Sequence, residues 1–183
     1  MRHQNLLQND RAALVIIDVQ ERFSQHISNF GPMVRNIVRL INGCKILNVP
    51  IFVTEQYPKG LGPTISEIKS ALADYKPLEK TAFTCFGEEF ARTVRTSGRQ
   101  QLIICGIEAH VCVNQSVHDL LAANYSVHIV EDAISSRDLN NKEIALRKMA
   151  LAGAIPSSTE MALLELVGDS AAPSFKAVQD LIR

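Results

Sequence analysis

A chain of 183 residues can close one full hydrophobic core but is short for two. Its 46% hydrophobic and 21% charged residues are those of an ordinary globular protein. Nineteen basic residues balance nineteen acidic ones, which leaves no overall positive field to draw in nucleic acid or an anionic membrane surface.

The first element is "AALVIIDV" (12–19), a continuous β-rich apolar run closed by Asp18, the pattern of a strand buried on both faces. "GPMVRNIVRLINGCKILN" follows, with Val34, Ile37, Val38, Ile41 and Leu47 at helical spacing. "VPIFVTE" predicts the second strand. "TEQYPKGLGPT" (54–64), rich in Pro and Gly, predicts a surface loop able to act as a lid. "LGPTISEIKSALADY" and "GEEFARTVRTSG" each predict a helix, the latter stopping at Gly98, and "PLEKTAFTCF" between them has no clear period. "QLIICGI" (101–107) predicts the third strand, "CVNQSVHDLLAANY" a helix and "YSVHIVED" the fourth strand. "NNKEIALRKMALAGA" predicts a helix, "IPSST" a short strand or loop, and "EMALLELVG" and "SFKAVQDLIR" two closing helices. In the last, Phe175, Val178, Leu181 and Ile182 can pack on the domain or on a second subunit.

Strands alternating with helices of ten or more residues indicate βαβ units. The expected fold is therefore α/β: one three-layer α/β/α domain over 1–183 around a Rossmann-like parallel sheet. No apolar run approaches the ~18 residues of a membrane span, and the N-terminal run lacks a secretory pattern. Cys44, Cys85, Cys105 and Cys112 show no CxxC or paired spacing, which suits a reduced compartment. The expectation is a soluble, cytoplasmic protein with neither membrane nor nucleic acid as partner.

Open α/β sheets bind ligands outside the carboxyl ends of their strands. That selects Asp18 after the first strand, Glu55 and Gln56 after the second, Glu108 to Cys112 after the third and Asp132 after the fourth. A thiol in the first turn of a helix meets unpaired N–H groups and the positive end of the helix dipole, which favour thiolate; the usual reading of a Cys such as Cys112 is a small buried hydrophobe. Asp18, closing so apolar a run, must reach solvent, a cation or a donor, or else cap a turn. Lys80 on position alone reads as a surface lysine. His110, two residues from the thiol, is the one histidine placed to pair with it, or is a turn residue at the site mouth. His118 is on the wrong face of its helix. No metal-ligand spacing, GxGxxG or GxxxxGK[ST] occurs, so neither a metal nor another cofactor is expected.

Three segments in order, "ALVIIDVQERF" (13–23), "EKTAFTCF" (79–86) and "ICGIEAHVCV" (104–113), resemble the isochorismatase-like cysteine hydrolase superfamily. "EQYPKGLGPT", "DAISSR" and "LVGDSAAPSFKAVQDLIR" extend the resemblance over nearly the whole chain. The resemblance implies a catalytic triad of Asp18, Lys80 and Cys112. It also implies a non-proline cis peptide joining Ile107 to Glu108, with the N–H groups of Glu108 and Cys112 forming an oxyanion hole. The activity it implies is amide-type C–N hydrolysis of a small molecule through a thioester, by a homo-oligomer of at least two chains. Phe23, Gln56, Tyr57, Phe83 and His110 are candidates for substrate contact. "TEQYP" has no histidine where zinc nicotinamidases of the superfamily carry one, and isochorismatases proper need no cysteine; both activities are disfavoured. The competing expectations are a binding or scaffold protein that keeps the fold without chemistry, and a redox sensor using Cys112 and Cys85.

Overall fold

A computed structural model of the protein describes residues 2–72 and 74–183. In chain order its elements are β1 (Ala12–Ile17), α1 (Phe30–Ile46), β2 (Ile51–Gln56), α2 (Pro58–Leu61), α3 (Ser66–Ala71) and β3 (Leu78–Lys80). Then come α4 (Glu88–Ser97), β4 (Gln101–Gly106), α5 (Asn114–Ala122), β5 (Ser126–Ile134), α6 (Leu139–Leu151), β6 (Ile155–Ser157), α7 (Thr159–Val167) and α8 (Phe175–Ile182). The strands pair in the order β3-β2-β1-β4-β5-β6, every pair parallel.

The apolar runs are continuous because both faces of the sheet are covered. Leu14, Ile16, Ile103, Cys105 and Val130 face a layer built from α1, α3, α7 and α8. Val15, Ile17, Leu102, Ile104 and Ile129 face α4, α5 and α6. Each fully buried Leu or Ile contributes about 1.5–3 kcal/mol by leaving water, so the two layers together hold the sheet. The terminal helix belongs to the first layer: Val178 of α8 is fully buried there and Ile182 packs against it.

Helix ends follow the side-chain signals. Asp138 accepts from the N–H groups of Asn140 and Asn141 to start α6, and Ser158 accepts from that of Met161 to start α7. Gly98 takes the left-handed conformation that stops α4, as expected.

Four places differ from the sequence-based expectation. "PLEKTAFTCF" contains a strand, β3, too short at three residues to show a period. The chain enters α5 through a π-helical turn, Ala109–Val113. β5 runs two residues past Asp132, whose carboxylate does not face the site but accepts from the N–H and hydroxyl of Thr159 at the start of α7. The 54–64 segment is no free loop: its first residues end β2, and Pro58–Leu61 form a helical turn. It is latched at both ends. Buried Glu55 accepts from the N–H and hydroxyl of Thr64 and from the Tyr75 hydroxyl, and buried Gln20 donates to the carbonyl of Gly62.

His128 of β5 is buried in the sheet, where its Nδ1 has no partner among the described residues. Burial lowers its pKa from 6.5 to about 4. The unfolded chain therefore takes up a proton that the folded chain refuses. Stability is full above pH 6.5 and falls as the pH drops towards 4, by up to about 3 kcal/mol. Urea midpoints measured across that window should fall with acid, and His128→Leu should flatten the slope; an equally steep slope in the variant would locate the acid sensitivity elsewhere.

Candidate active site

The strand order reverses between β1 and β4, and the crevice at their carboxyl ends is where such sheets place a ligand site. Asp18 follows β1 directly. Its backbone turns through a positive φ of 55°, and its N–H donates to the carbonyl of Thr54 across the sheet (3.2 Å). Its carboxylate is 1% exposed, and both oxygens are engaged: the Thr54 hydroxyl donates to Oδ1 at 2.7 Å and Lys80 Nζ to Oδ2 at 2.6 Å. A carboxylate so buried would be costly without a cation. Lys80 can supply it because β3 pairs with β2 and its last residue stands in register with Gln56.

Cys112 sits in the π-helical turn after β4. The peptide bond between Ile107 and Glu108 is cis, and the Glu108 carbonyl accepts from the N–H groups of Val111 (3.0 Å) and Val113 (3.2 Å). The turn brings the thiol close enough to Asp18 and Lys80 for the hydrogen bonds and charges of both to bear on it. Asp18 and Lys80 are thus paired at 2.6 Å although 62 residues separate them, and the charges of both act on the Cys112 thiol.

A helix start favours thiolate, but burial of the Cys112 thiol acts the other way. It is 7% exposed, and its pKa is pushed up from 9.0 to about 12, first by burial and then by the Asp18 carboxylate, with the Lys80 ammonium pulling the other way. A shift of that size corresponds to about 4 kcal/mol, whereas a helix N-terminus contributes only about 0.3–1 kcal/mol. Burial wins, and the resting group is a thiol.

The other candidates divide. Glu108 is buried, and its carboxylate accepts from the N–H of Arg137 (3.1 Å) and pairs with its Nε (3.3 Å). His110, half-buried, bonds through Nδ1 to the Ser136 hydroxyl at 3.0 Å. Gln56 has both ends of its amide occupied within the chain: Oε1 accepts from Lys80 Nζ (2.8 Å) and Nε2 donates to the carbonyl of Thr81 (2.7 Å). Phe23 packs, partly buried, on the α1 side of the core. Phe83 is 53% exposed, while its carbonyl accepts from Lys80 Nζ at 3.0 Å.

Beside these groups lies a cavity of about 530 Å³, walled by Tyr57, Pro58, Leu78, Lys80, Cys85 and Phe90 among others. Neither Asp18 nor Cys112 lines it, so it adjoins the three converging groups through Lys80 rather than enclosing them. Cys85 is tied to α5 by its N–H, which donates to the Ser116 hydroxyl (2.8 Å), and burial pushes its thiol up to about 12. Sequence reasoning missed Gln20 and Thr54. The only signals for them were adjacency, Gln20 two residues after Asp18 and Thr54 at the end of the neighbouring strand. Among the described residues, no three His, Cys, Asp or Glu side chains gather closely enough to hold a metal ion, and no helix is long and apolar enough to cross a membrane.

Comparison with known proteins gives four findings. The isochorismatase domain model matches residues 12–161. Isochorismatase domain-containing protein 2 of Danio rerio is 41% identical over 172 residues, which is 93% of this chain and 86% of that one. Among solved structures, the MAR1 ribonuclease from Caenorhabditis elegans superposes with a TM-score of 0.92 at 42% identity, over 97% of this chain and 92% of that one. The Escherichia coli YcaC gene product, an octameric hydrolase of unknown specificity, shares the fold at 22% identity with a TM-score of 0.91, over 100% of this chain and 91% of that one.

Proposed function

The chain belongs to the isochorismatase family, and from that premise we propose that it is a cysteine-dependent hydrolase of small amides. The observation that carries the reading is that one buried carboxylate, Asp18, pairs with the Lys80 ammonium at 2.6 Å while the charges of both act on the Cys112 thiol.

Because the resting group is a thiol, attack needs a base. Asp18 takes the thiol proton as Sγ bonds to the amide carbon, and the carbonyl electrons move onto oxygen. The oxyanion accepts from the N–H groups of Glu108 and Cys112. Its collapse breaks the C–N bond, and the proton held by Asp18 leaves with the amine. A water then gives its proton to Asp18 and attacks the thioester; the acid departs, and the returning proton restores the thiol. Lys80 stays charged throughout and offsets the negative charge that passes between Asp18 and Cys112. Tyr57 lines the adjoining cavity, which is large enough for a small substrate.

In the cell the protein is proposed to work in the cytoplasm, where reduced thiols persist; all four of its cysteines are free. It is also proposed to work as at least a dimer, since α6 and α7 leave Ile144, Leu151 and Met161 exposed.

A panel of small carboxamides with ammonia release as readout tests the activity. At least one member should be turned over by the wild type and by none of its Cys112→Ala samples; release that survives the substitution would remove the cysteine mechanism. One structural relative is named a ribonuclease, so single-stranded RNA belongs in the panel. The balanced charge of the chain predicts no cleavage there.

A further inference from the structure

The Lys80 ammonium ends a flexible four-carbon stem, and holding such a group in one place costs rotamer entropy. Its three N–H bonds meet four acceptors: Asp18 Oδ2, Gln56 Oε1 and the carbonyls of Ala82 and Phe83. The last two belong to an exposed, irregular segment. Gln56 is different. It lies on β2, and its backbone is gripped by the fully buried Gln20, whose Oε1 accepts from the Gln56 N–H (2.8 Å) and whose Nε2 donates to the Gln56 carbonyl (3.0 Å).

The side-chain amide of Gln56 is also oriented. Nε2 is spent on the Thr81 carbonyl, which turns Oε1 towards the ammonium; the reverse orientation would set two donors against each other. A neutral acceptor at this point has a consequence that a carboxylate would not. It fixes the lysine without adding an anion, so among the described residues Asp18 remains its sole charged partner and the pair stays neutral overall.

We propose that Gln56 is a positioning residue, which with Gln20 behind it holds the Lys80 ammonium against Asp18 and beside Cys112; the proposal rests on the Asp18–Lys80–Cys112 reading above. Gln56 acts through Lys80 and touches no substrate atom.

A double-mutant cycle on thiol reactivity tests this without any substrate. The alkylation rate of Cys112 by iodoacetamide, read by mass spectrometry of its peptide, is compared in the wild type, Gln56→Leu, Lys80→Ala and the double variant. Thermal midpoints show that each is folded, and Gln56→Met stands in if Gln56→Leu is not. Removing a cation from beside a thiol raises its pKa, and below that pKa the rate falls tenfold per unit. Lys80→Ala should therefore slow alkylation by about tenfold or more, and Gln56→Leu by about three- to tenfold. In the Lys80→Ala background, Gln56→Leu should change nothing.

An equal factor for Gln56→Leu in both backgrounds would overturn the positioning role while leaving the three-residue reading intact. That result would mean the substitution acts by opening the site. No change on Gln56→Leu alone would overturn it as well. An unchanged rate in Lys80→Ala would instead remove the three-residue reading, and the proposal with it.

Discussion

On the proposed mechanism, Cys112→Ala should lower amide hydrolysis by at least about four orders of magnitude, because removing the proposed nucleophile would disable every other member of its unit at once. Lys80→Ala should cost about two to three orders, since the proposed base loses its paired cation and the thiol loses a charge that favours its ionised form. The second variant needs a stability control. It strands Asp18, 1% exposed, as an unpaired buried carboxylate, which by itself destabilises by about 3–5 kcal/mol. The kinetics are therefore read well below its unfolding midpoint. His110→Ala should stay within about tenfold of wild type, because its ring nitrogen is committed to Ser136. An inactive His110→Ala beside an active Lys80→Ala would reassign the base and end the triad reading.

Gly106→Ala should unfold the protein or cut its stability by at least about 4 kcal/mol. Gly106 ends β4 with φ at +117°, and a Cβ there would stand 2.1 Å from the carbonyl oxygen of Ile17 and 2.7 Å from its nitrogen. Both are backbone atoms of the central strand, so neither can yield as a side-chain tip would. The crowding is what lets β4 meet β1 in register at the crevice while Ile107 donates to that same Ile17 carbonyl. At about 2–4 °C per kcal/mol for a domain of this size, the midpoint should drop by 10 °C or so. Gly153→Ala is the control. It has a similar φ of +108° but open space around it, so it incurs only the backbone strain, about 1–2 kcal/mol. Equal losses at the two positions would show that the contact with Ile17 is not the cause.

The difference between those glycines marks the limit of what could be read along the chain. Both are one letter, each at the end of an element; only the neighbouring strand makes one of them irreplaceable. Lys80 is the same case. Nothing around it separates it from a surface lysine, and its weight in the sequence came from resemblance alone. β3 shows no period, yet its pairing with β2 delivers the ammonium to within 2.6 Å of a carboxylate 62 residues earlier. Gln20 and Gln56 are plainer still: two amides whose orientation is decided by partners on other segments. The Cys112 thiol shows the converse. Its place at a helix start was legible, but the burial that pushes its pKa up was not, because burial is a property of the packed fold.

What the amino-acid order determined by itself is whatever depends on local periodicity and on the cost of exposing apolar surface: the buried parallel strands, the helices that cover them, and the rim where polar residues interrupt the apolar runs. Family membership was legible too, since it rests on residue identity at fixed spacing. The tertiary structure alone decided which polar groups meet, which of them are charged at rest, and what holds the lysine in place. Those are set by distance and burial across strands, and neither quantity exists until the chain has closed around its sheet.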